Sequence, residues 1–265
     1  MKAPVFDSSW PKEIIALYTH DMQEIWDDAI AIQIWDQYHN QLEQYKAFAP
    51  PEKMLDILDV GCAQATLAMQ LAEAGNRVMA IDLRQEFLDY AVSRYEHGKI
   101  DFVQGNVLEL ELDRHFDLLF ANQIVEHLVY PMEMIERLKG LLKPGGRLVV
   151  TTPNWHYLMN SLPRFTELGD PERWEHRQFT ADGDGHFFAY TGTELRQIFV
   201  KAGMAQVETR YFESPWISGH MKLRYLHGIL PIGALKNLDR LSLSVPVLRR
   251  YFSHQLLVTG IHSEC

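Results

Sequence analysis

Between residues 54 and 152, short apolar runs alternate with longer amphipathic ones. Segments 54–60, 77–81, 100–104, 116–121 and 147–152 are brief, aliphatic and bounded by turn formers, which predicts strands. Segments 64–74, 85–95 and 132–142 space their apolar positions at helical intervals. Gly75-Asn76, Gly98 and Lys143-Pro144-Gly145-Gly146 stop them, as glycine and proline do at helix ends. Strands alternating with helices predict βαβ units: an α/β, doubly wound, Rossmann-like sheet, mostly parallel, with helices on both faces.

The flanks read differently. Residues 10–48 lack glycine and are rich in aromatic side chains, and Pro11 suits a first helical position. Ile14, Leu17, Met22 and Ile25, then Ile30 and Ile34, predict two helices ended by Pro50-Pro51. Further on, 194–202 predicts a helix stopped by Gly203, and 205–212 and 256–261 predict strands. Segments 154–190 and 213–254 have no clear period. They are long for loops, so lids or small helical insertions are expected there.

Composition narrows the class. The chain has 265 residues, 47% hydrophobic and 23% charged, which suits one large globular unit with appendages and excludes disordered or repetitive types. Its two cysteines, Cys62 and Cys265, exclude a disulfide scaffold and point to a reducing, cytoplasmic setting. No apolar run is long enough to span a bilayer, and Met1 to Trp10 lacks a signal-peptide pattern. A net charge of −10 opposes phosphate backbones, which argues against nucleic acid as a partner. That charge is uneven: residues 213–265 carry six Lys/Arg against three Asp/Glu, a local excess of +3.

In an open parallel sheet, ligands bind at the carboxyl ends of the strands, so the chemistry is sought there. The first predicted strand ends in Asp59-Val60-Gly61-Cys62-Ala63-Gln64, and the second in Asp82, 21 residues beyond Gly61. That separation lets a carboxylate reach ribose hydroxyls. Only the first glycine of a G-x-G-x-x-G pattern is present, with Ala63 and Thr66 in the other places. A ligand with a ribose but no diphosphate is therefore favoured over a dinucleotide. The third strand is followed by Gly105-Asn106-Val107, and the fourth by Asn122-Gln123, then Glu126-His127.

Taken together, Leu58-Asp59-Val60-Gly61-Cys62, Ile81-Asp82, Phe116-Asp117-Leu118-Leu119, Glu126-His127-Leu128 and Leu142-Lys143-Pro144-Gly145-Gly146 resemble the class I S-adenosylmethionine-dependent methyltransferase family in order and spacing. The likeness covers about residues 54–212 and is closest to ubiquinone-type O-methyltransferases and to sugar or glycolipid methyltransferases. It implies a seven-stranded sheet with the last strand antiparallel. It also implies a helical lid over residues 1–50, a cofactor-binding core over 51–212, and a substrate-facing insertion plus final strand over 213–265. The implied cofactor is S-adenosylmethionine. Asp59 and Gly61, Cys62, Ala63 and Gln64 would surround its methionine part. Asp82 would take the ribose hydroxyls, and Leu83 would pack on the adenine. Asn106 and Val107 would bond the adenine edge, and Asn122 would offer a carbonyl to the ammonium. Ala63 and Ala65 depart from the family, which commonly has glycine there.

The resemblance also implies the reaction: O-methylation of a small molecule, a sugar or a lipid-linked glycan, with His127 as base and Glu126 beside it. The alternatives are N-methylation and a noncatalytic partner that keeps the fold. Some relatives hold a divalent metal at the corresponding place. Here Glu126, His127 and His186 could do so, but Gln123 replaces a carboxylate, so no metal is assigned. Asn106 also reads as a turn residue, and Asp182-Gly183-Asp184-Gly185 as a turn. Tyr38 and His39 are lid candidates, and Cys62 reads as a turn residue rather than a nucleophile. The acceptor is expected to be anionic if Arg224, Arg249 and Arg250 face it. Peripheral membrane contact and oligomeric state stay open.

Overall fold

The computed structural model describes residues 1–3, 9, 11–12, 15–16, 19, 25–178 and 186–263. Of the two helices expected at the start of the chain, the first lies largely outside these residues, as does the turn at 182–185. The second is α1 (Asp28–Lys46).

Seven strands form one sheet: β1 (Asp56–Val60), β2 (Arg77–Asp82), β3 (Lys99–Gln104), β4 (Phe116–Asn122), β5 (Leu142–Pro153), β6 (Ala205–Phe212) and β7 (Gln255–Ile261). Their order is β3-β2-β1-β4-β5-β7-β6. β7 runs antiparallel to both β5 and β6, and the other pairs are parallel. The connecting helices are α2 (Thr66–Glu73), α3 (Gln85–Arg94), α4 (Pro131–Gly140) and α5 (Gly192–Lys201). This is the doubly wound architecture that the pattern predicts.

The central strands read as unbroken apolar runs because both faces are covered. Successive side chains of a strand point to opposite faces, so neighbours enter different cores. Leu58, Leu119, Val150 and Val258 pack into one buried cluster, whereas Ile57, Phe120, Val149 and Leu257 pack into the other. Tyr45 of α1 seals the second cluster, its ring centroid 6.3 Å from those of both Phe120 and Phe212.

Two expectations are refined. Residues 143–146 do more than stop a helix, because β5 starts at Leu142 and pairs there with Phe116 before the register slips. The slip is a bulge. The Gly145 N–H donates to the His262 carbonyl at 2.8 Å, and Lys143 reaches Asp56 at 2.7 Å and Asp117 at 2.8 Å. Segment 213–254 is a helical insertion of α6 (Pro215–Ser218), α7 (Ile232–Ser244) and α8 (Pro246–Phe252). Pro215 and Pro246 open helices, where the missing N–H has no partner to lose. Segment 154–190 contains short 3₁₀ turns and two isolated parallel bridges, Asn154 with Tyr190 and Arg164 with Ala189, among its described residues.

Candidate active site

Strand order reverses between β1 and β4, whose connections lead to opposite edges, and a crevice opens there. It is a cleft of about 580 Å³ over the carboxyl ends of β1, β2, β3 and β4. Of the residues singled out from the sequence, Gly61, Ala63, Asp82, Leu83, Asn106, Val107, Asn122 and His127 line it, and Asp59, Cys62, Gln64 and Glu126 do not.

The turn after β1 is tightly built. Gly61 has φ +64°, and a Cβ there would lie 2.5 Å from Ile124 Cδ1. Ala63 and Ala65 also adopt positive φ, 44° and 55°. The alanines thus keep the backbone shape that glycine permits, at roughly 1–2 kcal/mol of strain each. The Ala63 N–H donates to Asp82 Oδ2 at 2.9 Å, and the Arg84 N–H donates to Asp82 Oδ1 at 2.9 Å. Each carboxylate oxygen is fixed by one bond and keeps acceptor capacity toward the cleft.

Asp59 is buried behind this turn. Burial, and then the charge of Asp82, push its carboxyl up to about 7. Burial also raises the Cys62 thiol well above its usual range, which suits a turn residue and not a nucleophile. Leu83 stands exposed in the cleft wall. Asn106 is a turn residue as well as a cleft residue: its Oδ1 accepts from the Leu108 N–H at 3.1 Å, and its amide donates to Glu109 at 3.0 Å. Asn122 Oδ1 accepts from the Thr151 hydroxyl at 3.1 Å. Gln123 also lines the cleft, and its amide donates to Thr151 at 3.2 Å and to Gln255 at 2.9 Å.

A 3₁₀ turn, Val125–His127, carries the next group. Glu126 is fully buried, and burial pushes its carboxyl up from 4.5 to about 8, so it holds its proton at neutral pH. The Thr152 hydroxyl donates to Oε2 at 3.0 Å, and Oε1 lies 3.8 Å from His186 Nε2. The His127 and His186 rings meet edge to face at 5.1 Å. One ligand atom from each of Glu126, His127 and His186 lies within 4.8 Å of the others, a donor set that a transition metal could use. Burial lowers the pKa of His186, with His254 adding to the shift.

Tyr38 and His39 are not among the residues lining the cleft. His39 stacks on Trp35 at 4.3 Å within α1. Arg224, Arg249 and Arg250 are exposed and lie outside the cleft lining.

The sequence reading missed a second cluster at the same sheet edge. Glu213 is fully buried, with φ +66°. It accepts from Gln37, from Gln41 at 2.6 Å and from His254 Nδ1 at 3.0 Å. His254 packs against His220, which bonds Tyr157 at 2.8 Å. Positions 213 and 254 are 41 residues apart. Only the antiparallel register that sets Phe212 opposite Gln255 brings them together.

Residues 58–150 match a family model described as a methyltransferase domain. Ubiquinone biosynthesis O-methyltransferases of Rickettsia akari and Rickettsia felis are 34% and 36% identical over 102 and 103 residues. Those alignments cover 38% of this chain and 41% and 42% of the relatives, so the chain spans about two fifths of the length of the curated relatives it matches. Among solved structures, Haemonchus contortus phosphoethanolamine N-methyltransferase 2 in complex with S-adenosyl-L-methionine aligns with a TM-score of 0.58. The identity is 17%, over 96% of this chain and 62% of that one. Magnesium protoporphyrin IX methyltransferase from Synechocystis PCC 6803 with bound SAH aligns with a TM-score of 0.58 at 13% identity, over 94% of both chains. At such identities the likeness is one of fold. Over residues 58–150 the chain is thus similar to methyltransferase domains, in line with the motifs that resemble the class I S-adenosylmethionine-dependent family.

Proposed function

We propose that the protein transfers a methyl group from S-adenosylmethionine to an oxygen of a small molecule, a sugar or a lipid-linked glycan. The observation that carries this reading is Asp82: a carboxylate at the end of β2, pinned by two backbone N–H groups and facing a cleft that also holds His127. The cofactor supplies an electrophilic methyl on a sulfonium, so the protein's task is binding, alignment and proton removal.

Asp82 takes the ribose hydroxyls through charge-assisted bonds. Leu83 and Val107 offer apolar contact to the adenine, and Asn106 bonds its edge with the acceptor capacity that its turn leaves. The turn from Gly61 through Cys62, Ala63 and Gln64 wraps the methionine part, with Asp59 beneath. The Asn122 carbonyl takes the ammonium. His127, at the rim toward the acceptor, removes the hydroxyl proton as the methyl moves. Glu126, bonded to Thr152, sets the wall on which His127 and His186 stand. Residues 1–50 act as a lid, with α1 tied to the acceptor side through Gln37 and Gln41.

Thermal shift separates the readings. S-adenosylhomocysteine at about 100 times its dissociation constant stabilises the fold by roughly 2.7 kcal/mol, and NAD leaves it unchanged. The reverse result overturns the cofactor assignment. Turnover on amines alone replaces the O-methyl reading with N-methylation. Binding without turnover on any acceptor makes the protein a noncatalytic partner. A rise in turnover when divalent cation is returned to chelator-treated protein transfers the role of His127 as base to a metal on Glu126, His127 and His186.

A further inference from the structure

The helical insertion between β6 and β7 has an unusual surface. None of the seven residues of α8 is buried, and α7 buries only Leu235. The exposed positions are not polar: Leu241 and Val247 are each 66% exposed, and Val245, Leu248 and Tyr251 stand out beside them. The surface continues onto the loop after β5, where the Leu158 N–H donates to the Tyr251 carbonyl at 3.0 Å and Leu158 and Met159 are both exposed.

Cations stud this apolar face. Arg240, Arg249 and Arg250 are exposed on the same two helices, with Arg249 over the Tyr211 ring and Arg250 beside His156, and Lys222 and Arg224 are exposed on the turn before α7. The acidic residues of the segment do not offset them. Glu213 is buried, Asp239 is half-buried and receives the Ser214 N–H at 2.8 Å, and Glu264 lies outside the described residues. The cationic surface belongs to a protein whose other 212 residues carry a net −13. Apolar side chains interleaved with arginine, on short and largely exposed helices, are the composition of an interfacial membrane-binding face. A second copy fits worse. A self-complementary contact sets a patch against itself, which would bring Arg249 and Arg250 against their own copies. No described helix is long and apolar enough to cross a bilayer, so contact is at the surface.

We infer that α7, α8 and the 158–159 loop dock the protein on an anionic lipid surface, with Val247, Leu248 and Leu241 entering the headgroup boundary and Arg240, Arg249 and Arg250 engaging lipid phosphates. Asn154, directly after β5, bonds the Arg250 and Ser253 carbonyls at 2.8 Å, so the docking face sits on the same sheet edge as the cleft. The docking face is made by the insertion and the 158–159 loop. Both lie outside residues 58–150, and the docking does not depend on which atom is methylated.

Vesicle co-sedimentation tests this with the full chain. Vesicles of phosphatidylcholine with about 30% phosphatidylglycerol should bind at least about tenfold more protein than phosphatidylcholine alone, and 0.5 M salt should abolish the difference. Arg249→Glu with Arg250→Glu should lower binding about tenfold or more. Val247→Ser with Leu248→Ser should also lower it, now in a salt-independent way. Both pairs should bind S-adenosylhomocysteine as the parent does, which certifies their fold. If the serine pair fails to fold, the charge-reversed pair alone decides. Absence of binding at low salt, equal binding to both vesicle types, or binding that survives both pairs overturns the inference. Concentration-dependent dimerisation removed by the same substitutions overturns it too, in favour of a second copy.

Discussion

Two parts of the sheet's carboxyl edge, the cleft proposed for the cofactor and the buried cluster proposed to lie on the acceptor side, are assembled in opposite ways. The cofactor side, from β1 to β4, is built from consecutive βα units, each contributing a short sequence right after its own strand: Gly61 to Ala63, Asp82-Leu83, Asn106-Val107 and Asn122. The acceptor side gathers single residues from distant places. Gln37 and Gln41 come from α1, Glu213 and His254 from the ends of β6 and β7, and His186 from the loop before α5. A local unit is specified by its own residues, so it can be recognised in the sequence and matched across relatives. A gathered site is specified only once the chain has folded. The gathered residues all lie outside the matched segment, 58–150.

The largest expected effect lies where the two sides meet. His127→Ala should lower turnover about 10²- to 10⁴-fold, as loss of a general base does, with S-adenosylhomocysteine affinity within about threefold of the parent. Steady-state kinetics with calorimetry checks this, and equal rates would remove His127 from the reaction.

Next comes the stitching of the gathered side. Glu213→Ala removes the shared acceptor of Gln37, Gln41 and His254 inside the protein, so stability should fall by about 3 kcal/mol in urea unfolding. An effect below about 0.5 kcal/mol would mean that the cluster does not hold α1 to the sheet.

Glu126 gives a pH signature. Its carboxyl is raised from 4.5 to about 8 in the fold, so the folded state keeps a proton that the unfolded chain has lost. Stability from this group is complete below about 4.5 and declines as pH rises toward about 8. Glu126→Gln should flatten that decline, making the variant gain on the parent at pH 8 relative to pH 5 in thermal melts. Parallel melting curves at both pH values would place an ionised carboxylate there instead.

The smallest expected effect is on the local side. Ala65 holds φ +55°, so Ala65→Gly should raise stability by about 1 kcal/mol, or about 3 °C. A destabilised variant would show that the loop strain is absent.

The same contrast explains what was legible beforehand. β1, β2 and β4 are buried on both faces, and their aliphatic runs were readable at nearly their observed bounds. Asp82 was readable because its distance from Gly61 is set by one helix and one strand. β5 was misjudged at its start, since a bulge through Gly145 and Gly146 looks like a turn until β4 supplies a partner for Leu142. α6 to α8 were hidden by their shortness and by prolines that open helices as readily as they break them. Nothing near Glu213 or His254 announces their pairing. It follows from the β6–β7 register, and that register was not available from either strand alone.

Calorimetric titration of S-adenosylhomocysteine into the parent and into Asp82→Ala tests the central claim most directly. The account predicts one site per chain in the parent. It predicts an affinity at least about 100-fold weaker in the variant, the loss of charge-assisted bonds of about 1.5–3 kcal/mol each. An undiminished affinity in Asp82→Ala, or no binding by the parent, would contradict it.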